Sequence, residues 1–447
     1  MNKPVMSELF KKRMPSDVRL GQMKFAEREV KPALVNVGIG NVSLPTNPAM
    51  MKRLFALDAP ESPFNKGVIR YTGTAGETEC QQAFKNILKC EGFDVSNLHV
   101  EVTDGGSTGM ELLLLGVCGD AGTSDKPLMM IDPAYTNYTS FAERIGRKTV
   151  SVTRTLGENG KFSLPSIEEI EAVIKANDPG ALLVIPYDNP TGQLYDYKTL
   201  IELAKLCVKY NMWMVSDEAY RELYYDDNAE LISIWGVTDK EVPGIEGRRI
   251  SIETASKVWN ACGLRIGAII TDNAEYYTQS VAEYTANLCA NAIGQYIFGA
   301  LAHESQESLA EWCQGLRNYY KAMMFDVNKG LKDQEPGLIV SSPDASLYTV
   351  IDVRNVVKPG FDCIEFVLYC AQEGSVNYDG VDTTLIVAPL KGFYDAKEGQ
   401  VNPGNTQFRI AFIETPENMN KVPELFVSLL KQYESKRENE AKILSTI

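Results

Sequence analysis

Histidine is almost missing from this 447-residue chain: only His99 and His303 occur, and neither lies in a catalytic or metal-binding motif. An enzyme built from it must move protons with another kind of side chain. Cysteine is too irregular for a disulfide frame or a zinc site, because its nine residues run from Cys80 to Cys370 without a CxxC pair. Reduced, structural thiols and no bound metal are expected. Basic charge is also short, with 44 Lys plus Arg against 59 Asp plus Glu and a net charge of −15. Such a field repels a phosphate backbone, so nucleic acid is not an expected partner. No apolar run approaches the length of a bilayer span, and residues 1–13 are too charged for a secretory signal core. The expectation is a soluble, cytoplasmic protein with no membrane partner.

The composition that remains is that of a folded chain, 44% hydrophobic and 23% charged, long enough for two domains with separate cores. Strand-like apolar runs at 100–103, 127–131, 181–186, 213–216, 249–253 and 266–271 alternate with helical patterns. One such helix is expected at 199–210, where Leu200, Leu203, Ala204 and Cys207 recur at helical spacing. This alternation predicts an α/β domain over 56–320, a mostly parallel sheet with helices on both faces. From 321 to 447 the pattern changes to a helix, a short-strand region at 347–353 and a final helix near 422–433, as in a smaller α+β domain. Residues 1–55 carry too little apolar pattern to fold alone. They are expected to join the small domain or cross the mouth of a site.

Four segments concentrate chemistry at predicted strand ends, where ligands bind in open α/β sheets. In DGGSTGMELLLLGV, Gly105, Gly106, Ser107 and Thr108 precede a helix predicted to open at Met110, so backbone N–H groups can approach an anion. In YDNPTGQLY, a turn holding Asn189 follows an apolar strand. In WMVSDEAYREL, a strand runs into Asp217, with Tyr220 three residues later; such a carboxylate can face a protonated ring nitrogen. In SIETASKVWNACGLRIG, Thr254, Ser256 and Lys257 are followed by Arg265, a lysine that desolvation can make nucleophilic and a fork suited to phosphate. Singly, these segments read equally as helix caps, a turn and surface charge. Their order is what is specific.

Taken in that order, the four segments resemble the class I/II aminotransferases of pyridoxal 5'-phosphate fold type I, and the resemblance covers nearly the whole chain. It implies that Lys257 holds the cofactor as a Schiff base, that Asp217 faces the pyridinium and that Asn189 and Tyr220 bind the ring hydroxyl. Gly106, Ser107, Thr108, Ser256 and Arg265 would cradle the phosphate, with Thr254 standing where the family commonly has serine. In DPAYTNY, Tyr135 matches the aromatic that stacks on the ring, and in IRYTGTAGETE, Tyr71 matches the tyrosine that reaches a neighbouring subunit's phosphate, which implies a homodimer. Arg409 in QFRIAF resembles the clamp for the substrate α-carboxylate, with Asn189 and the backbone of Gly40 beside it.

The activity implied is a ping-pong transfer of an amino group from an L-amino acid to a 2-oxo acid such as 2-oxoglutarate, with Lys257 as proton carrier. The same scaffold hosts C–S lyases, decarboxylases and cyclopropane-forming synthases, which these motifs do not separate. A ligand-binding regulator would need an added DNA-binding segment, and no basic recognition helix precedes the core. A nicotinamide dehydrogenase is disfavoured because Ser43 breaks GxGxxG after Gly38 and Gly40. No arginine occurs between Arg265 and Arg317, so one familiar mode of acidic side-chain binding is absent. Tyr138, Tyr187 and the N-terminal segment are candidates to line the side-chain pocket. The family's glycine-rich stretch before the small-domain strand reads PDASLY here.

Overall fold

The computed structural model describes residues 4–226, 228–342, 344–396 and 399–445. Its centre is a seven-stranded sheet in the order His99–Thr103, Gly267–Thr271, Arg249–Thr254, Trp213–Asp217, Ala181–Val184, Leu128–Asp132 and Thr149–Thr153. All neighbours pair in parallel except Gly267–Thr271, which runs antiparallel to the strands on both sides. Six of the seven strands fall on the predicted runs. The seventh, Thr149–Thr153, is a half-exposed edge of small alternating residues, which lacks the continuous apolar run that marks a doubly covered strand.

Side chains along the inner strands alternate between two cores. Met129, Leu182, Val184 and Met214 face a layer that includes the helices Thr78–Cys90 and Tyr197–Lys209. Leu128, Leu183, Val215 and Ile252 face Gly105–Val117, Asn137–Arg144 and Ala274–Tyr284. The helix predicted to open at Met110 opens one turn and more earlier, at Gly105. Gly105 takes φ +80°, a conformation glycine adopts without strain, so the preceding strand turns directly into the helix.

The C-terminal part builds a four-stranded antiparallel sheet around Tyr348–Asp352 and Gln407–Ala411, flanked by the long helices Gln306–Gln334 and Pro416–Ser445. The first of these helices crosses residue 320, the predicted domain boundary. The strand Ala33–Asn36 pairs in parallel with Val381–Ile386, joining the N-terminal segment to this region. The earlier helix Asp17–Glu27 sends Val18, Arg19 and Gln22 to the wall of the main cavity. Among the described residues, no helix is long and apolar enough to cross a membrane.

Candidate active site

A cavity of about 730 Å³ opens at the carboxyl edge of the parallel strands. Trp213–Asp217 delivers Asp217, Arg249–Thr254 ends on Thr254 with Ser256 and Lys257 just beyond, and Ala181–Val184 leads to the turn of Asn189. The antiparallel strand begins at Gly267 opposite both Thr103 and Thr254, which brings Arg265 to the same edge. There Gly105 and Gly267 permit a close approach: a Cβ on Gly105 would fall 2.3 Å from Arg265 Nη2, and one on Gly267 would fall 2.6 Å from the Gly105 carbonyl carbon. Arg265 is thereby held against the start of the Gly105–Val117 helix, donating to the carbonyls of Cys262 (3.0 Å) and Asp104 (3.3 Å).

At the other end, Arg409 is buried and its fork is fixed by two acceptors, Asn189 Oδ1 at 2.8 Å from Nη1 and the Gly38 carbonyl at 2.8 Å from Nη2. Its Nε is buried without a hydrogen-bond partner among the described residues. The Gly40 carbonyl, expected beside Arg409, instead accepts from Lys257 Nζ. Asn189 Nδ2 also lies 3.4 Å from Tyr220 Oη.

Between these ends lies Asp217. Burial pushes its carboxyl above the usual range, against the opposing pull of hydrogen bonds from the Tyr138 hydroxyl and the Ala219 N–H. The rings of Tyr135 and Tyr138 meet edge to face at 5.6 Å, and burial raises the Tyr135 phenol to about 12.

Nearly every residue proposed from sequence reaches this cavity. Gly40, Gly106, Ser107, Tyr135, Asn189, Asp217, Tyr220, Thr254, Ser256, Lys257, Arg265 and Arg409 all line it. Thr108 does not, and its hydroxyl donates back to the Asp104 carbonyl at 3.3 Å. Tyr71 lies outside the cavity and is 78% exposed. Of the two suggested pocket tyrosines, Tyr138 lines the cavity, whereas Tyr187 is buried away from it and accepts from the Ile232 N–H. The lining residues that sequence reasoning missed include Tyr348, signalled only by strand alternation with Val350, and Arg19, for which no motif exists.

Pyridoxal phosphate fits the side chains present. The volume suits a cofactor with a small substrate. The half-buried Asp217 carboxylate has hydrogen bonds from neutral donors but no ion pair among the described residues, which suits a cationic ring nitrogen. Ser107, Ser256 and Arg265 with the helix start at Gly105 suit a phosphate, and the orphaned Arg409 Nε suits a carboxylate.

Comparison with known proteins agrees with this geometry. Residues 33–386 match the family model for aminotransferase class I and II. The chain is 25% identical over 351 residues to a probable kynurenine–oxoglutarate transaminase of Saccharomyces cerevisiae, covering 73% of this chain and 71% of that protein. It is 26% identical over 400 residues to an aspartate aminotransferase of Pyrococcus horikoshii, covering 88% and 91% respectively. In fold it is similar to a single-mutant aspartate aminotransferase of Thermus thermophilus, with a TM-score of 0.76 at 21% identity over 96% of this chain and 100% of that one. Sequence pattern, fold and cavity chemistry thus converge, and the chain belongs to the class I and II aminotransferase family.

Proposed function

We propose that this protein transfers the amino group of an L-amino acid to a 2-oxo acid, 2-oxoglutarate in particular, in two half-reactions with pyridoxal 5'-phosphate as the amino carrier. The reading rests above all on the meeting of Lys257, Asp217 and Arg409 in one cavity: an amine, a half-buried carboxylate and a buried guanidinium whose Nε has no hydrogen-bond partner among the described residues. Asp217 holds the cofactor's ring nitrogen, Asn189 and Tyr220 its ring hydroxyl, and Tyr135 its face. Gly106, Ser107, Ser256 and Arg265 hold the phosphate, with Thr254 fixing Ser256 through a 2.7 Å hydroxyl contact and the Thr108 turn shaping the helix start.

The bound cofactor supplies an electron sink conjugated to the substrate's α-carbon. Arg409, its fork immobilised by Asn189 and Gly38, orients the α-carboxylate, and this fixes where the α-hydrogen points. Lys257 Nζ, held at the Gly40 carbonyl, is placed to take that proton and would return it to the cofactor carbon on the other side of the transferred nitrogen. Both histidines lie outside the cavity, so Lys257 acts as the base unaided.

Arg19 supports the choice of acceptor. Of the four cationic side chains on the cavity wall, Lys257, Arg265 and Arg409 have the tasks above, and the Arg19 guanidinium has no hydrogen-bond or ion-pair partner among the described residues. A second carboxylate on the substrate gives it one. Tyr71 is assigned to the phosphate of the partner subunit in a cytoplasmic homodimer, in keeping with the exposed apolar run Val68, Ile69 and Tyr71.

The test is to give the cofactor-loaded protein an amino acid without a 2-oxo acid. One equivalent of 2-oxo acid per site should form, and turnover should resume only when 2-oxoglutarate is added. Continuous release of ammonia would replace this reading with a lyase. Arg19→Ala should raise the KM for 2-oxoglutarate roughly tenfold and leave that for pyruvate nearly unchanged. Equal effects on both would remove 2-oxoglutarate as the favoured acceptor.

A further inference from the structure

Tyr348 touches three residues of the proposed machinery yet has no task in it. It opens the strand Tyr348–Asp352, whose Val350 pairs with Arg409 on the neighbouring antiparallel strand. Residues two apart on a strand share a face, so Tyr348 and Arg409 are diagonal neighbours. Accordingly the Arg409 guanidinium carbon lies 4.3 Å from the centre of the Tyr348 ring. The Tyr348 hydroxyl is 2.7 Å from that of Tyr220, with the two rings edge to face at 5.5 Å. It also reaches the Lys257 corner: a Cβ on Gly40 would stand 2.4 Å from Tyr348 Oη and 3.4 Å from Lys257 Nζ. The side chain is 2% exposed, and its backbone is anchored where the Ser346 hydroxyl donates to the Asp188 carbonyl at 2.9 Å, next to Asn189.

A phenol has one proton to donate. If Tyr220 gives its proton to the cofactor's ring oxygen, the 2.7 Å contact with Tyr348 is satisfied only when Tyr348 donates to Tyr220. A donor placed on a phenol's oxygen makes that phenol a stronger donor in turn, because hydrogen bonds in a chain polarise one another. The Tyr348 ring at 4.3 Å is meanwhile the nearer of two rings against the Arg409 guanidinium, with Phe393 at 5.2 Å, and the in-plane hydrogen bonds to Asn189 and Gly38 leave the guanidinium faces to these rings.

We infer that Tyr348 is a positioning residue with two separable parts: its hydroxyl directs the Tyr220 proton toward the cofactor's ring oxygen, and its ring holds Arg409 in place for the substrate carboxylate. This rests on the aminotransferase reading and adds a residue to it. One side chain then couples the cofactor end and the carboxylate end of the site. Tyr348, at the end of the PDASLY stretch, stands where it reaches both.

Two variants of the cofactor-loaded protein separate the parts. A hydrogen bond onto the ring oxygen stabilises its negative charge and so favours the deprotonated form of the lysine-linked nitrogen nearby. Tyr348→Phe, which keeps the ring, should therefore raise the pH midpoint of the visible absorbance titration by about 0.5 unit or more, with KM for the amino acid within about twofold of wild type. Tyr348→Leu should shift the midpoint likewise and in addition raise that KM, and the dissociation constant of a non-reacting carboxylate analogue, by roughly five- to tenfold. An unchanged midpoint in Tyr348→Phe overturns the hydroxyl's role. Equal carboxylate affinity in the two variants overturns the ring's role. If Tyr348→Leu does not fold, Tyr348→Met carries the same comparison. Failure of the wild-type protein to transfer amino groups would sink the aminotransferase reading, and the midpoint comparison would still stand.

Discussion

The hydroxyl of Tyr138 donates to Oδ2 of Asp217, while the Ala219 N–H donates to Oδ1 at 3.0 Å, so both oxygens of a half-buried carboxylate are held by neutral donors. This keeps Asp217 in one orientation and opposes the upward push of burial on its pKa. Tyr138→Phe removes one donor at almost no change in shape. The carboxyl then rises further, and less of it is ionised at a given pH. The acid limb of the kcat/KM profile should move up by about one pH unit and pyridoxal phosphate should bind roughly tenfold more weakly. Equilibrium titration of the apoprotein and a pH profile read the two effects, and no change in either would reduce Tyr138 to packing.

Lys257 carries the one amine among the described residues of the cavity wall, and of the two carboxylates there, Asp217 and Glu414, the second is occupied with the Asn36 N–H and the Asn418 amide. Lys257→Ala should lose the absorbance of the lysine-bound cofactor and at least roughly 10³-fold in kcat. Far-ultraviolet circular dichroism should be unchanged, because the side chain carries no packing role in either core. Substantial residual transamination would remove Lys257 from its assignment.

Why Lys257, Asp217 and Arg409 were legible in the sequence, and Tyr138 and Tyr348 only weakly, has a physical cause. The first two stand at or just beyond the carboxyl ends of apolar strands, and a polar residue there interrupts a pattern that is easy to see. Tyr138 follows Tyr135 by three residues, a helical spacing that places both on one side, yet an aromatic pair reads equally as core. Tyr348 depends on the pairing of two strands some sixty residues apart in sequence, which no local pattern records. Tyr187 and Thr108 show the converse error. Each sits inside a telling motif but turns its hydroxyl to the backbone, Tyr187 accepting from Ile232 and Thr108 donating to Asp104. A motif fixes where the chain goes, and side-chain direction within it follows from packing.

Beneath the two loops that carry Tyr135 and Asn189 lies a buried ion pair. Arg154 Nη2 is 2.9 Å from Asp188 Oδ2, with side chains 3% and 1% exposed, and it also donates to the Pro133 carbonyl at 2.7 Å. Asp188 precedes Asn189, and Pro133 lies two residues before Tyr135, so one guanidinium ties both loops together. Arg154→Met would leave the Asp188 carboxylate buried with, among the described residues, the Thr191 donors alone. The expected cost is about 3–5 kcal/mol, read from urea unfolding. Adding Asp188→Asn removes the orphaned charge and should recover part of the loss. A single variant within about 1 kcal/mol of wild type would show that the pair contributes little.

On the opposite face of the sheet from Asp217, one guanidinium serves three buried carboxylates. Arg221 forks onto Glu253 with two bonds of 2.8 Å and meets Glu91 at 2.7 Å, while Glu218 is 3.5 Å away and accepts from Ser216 and Ser233. A single positive charge cannot balance all three. Burial raises the Glu91 carboxyl to about 8, with Arg221 opposing and Glu222, Glu253 and Glu218 adding to the rise. Because this folded pKa lies above the ordinary value of 4.5, the folded state holds a proton that the unfolded chain releases. The resulting stabilisation is complete below the unfolded pKa and is lost progressively as pH rises through about 8. Glu91→Gln keeps the neutral shape and cannot ionise. The melting temperature of the wild-type protein should therefore fall relative to that of Glu91→Gln between about pH 6 and pH 9. Parallel curves over that range would mean that Glu91 is already ionised in the fold and that Arg221 balances it after all.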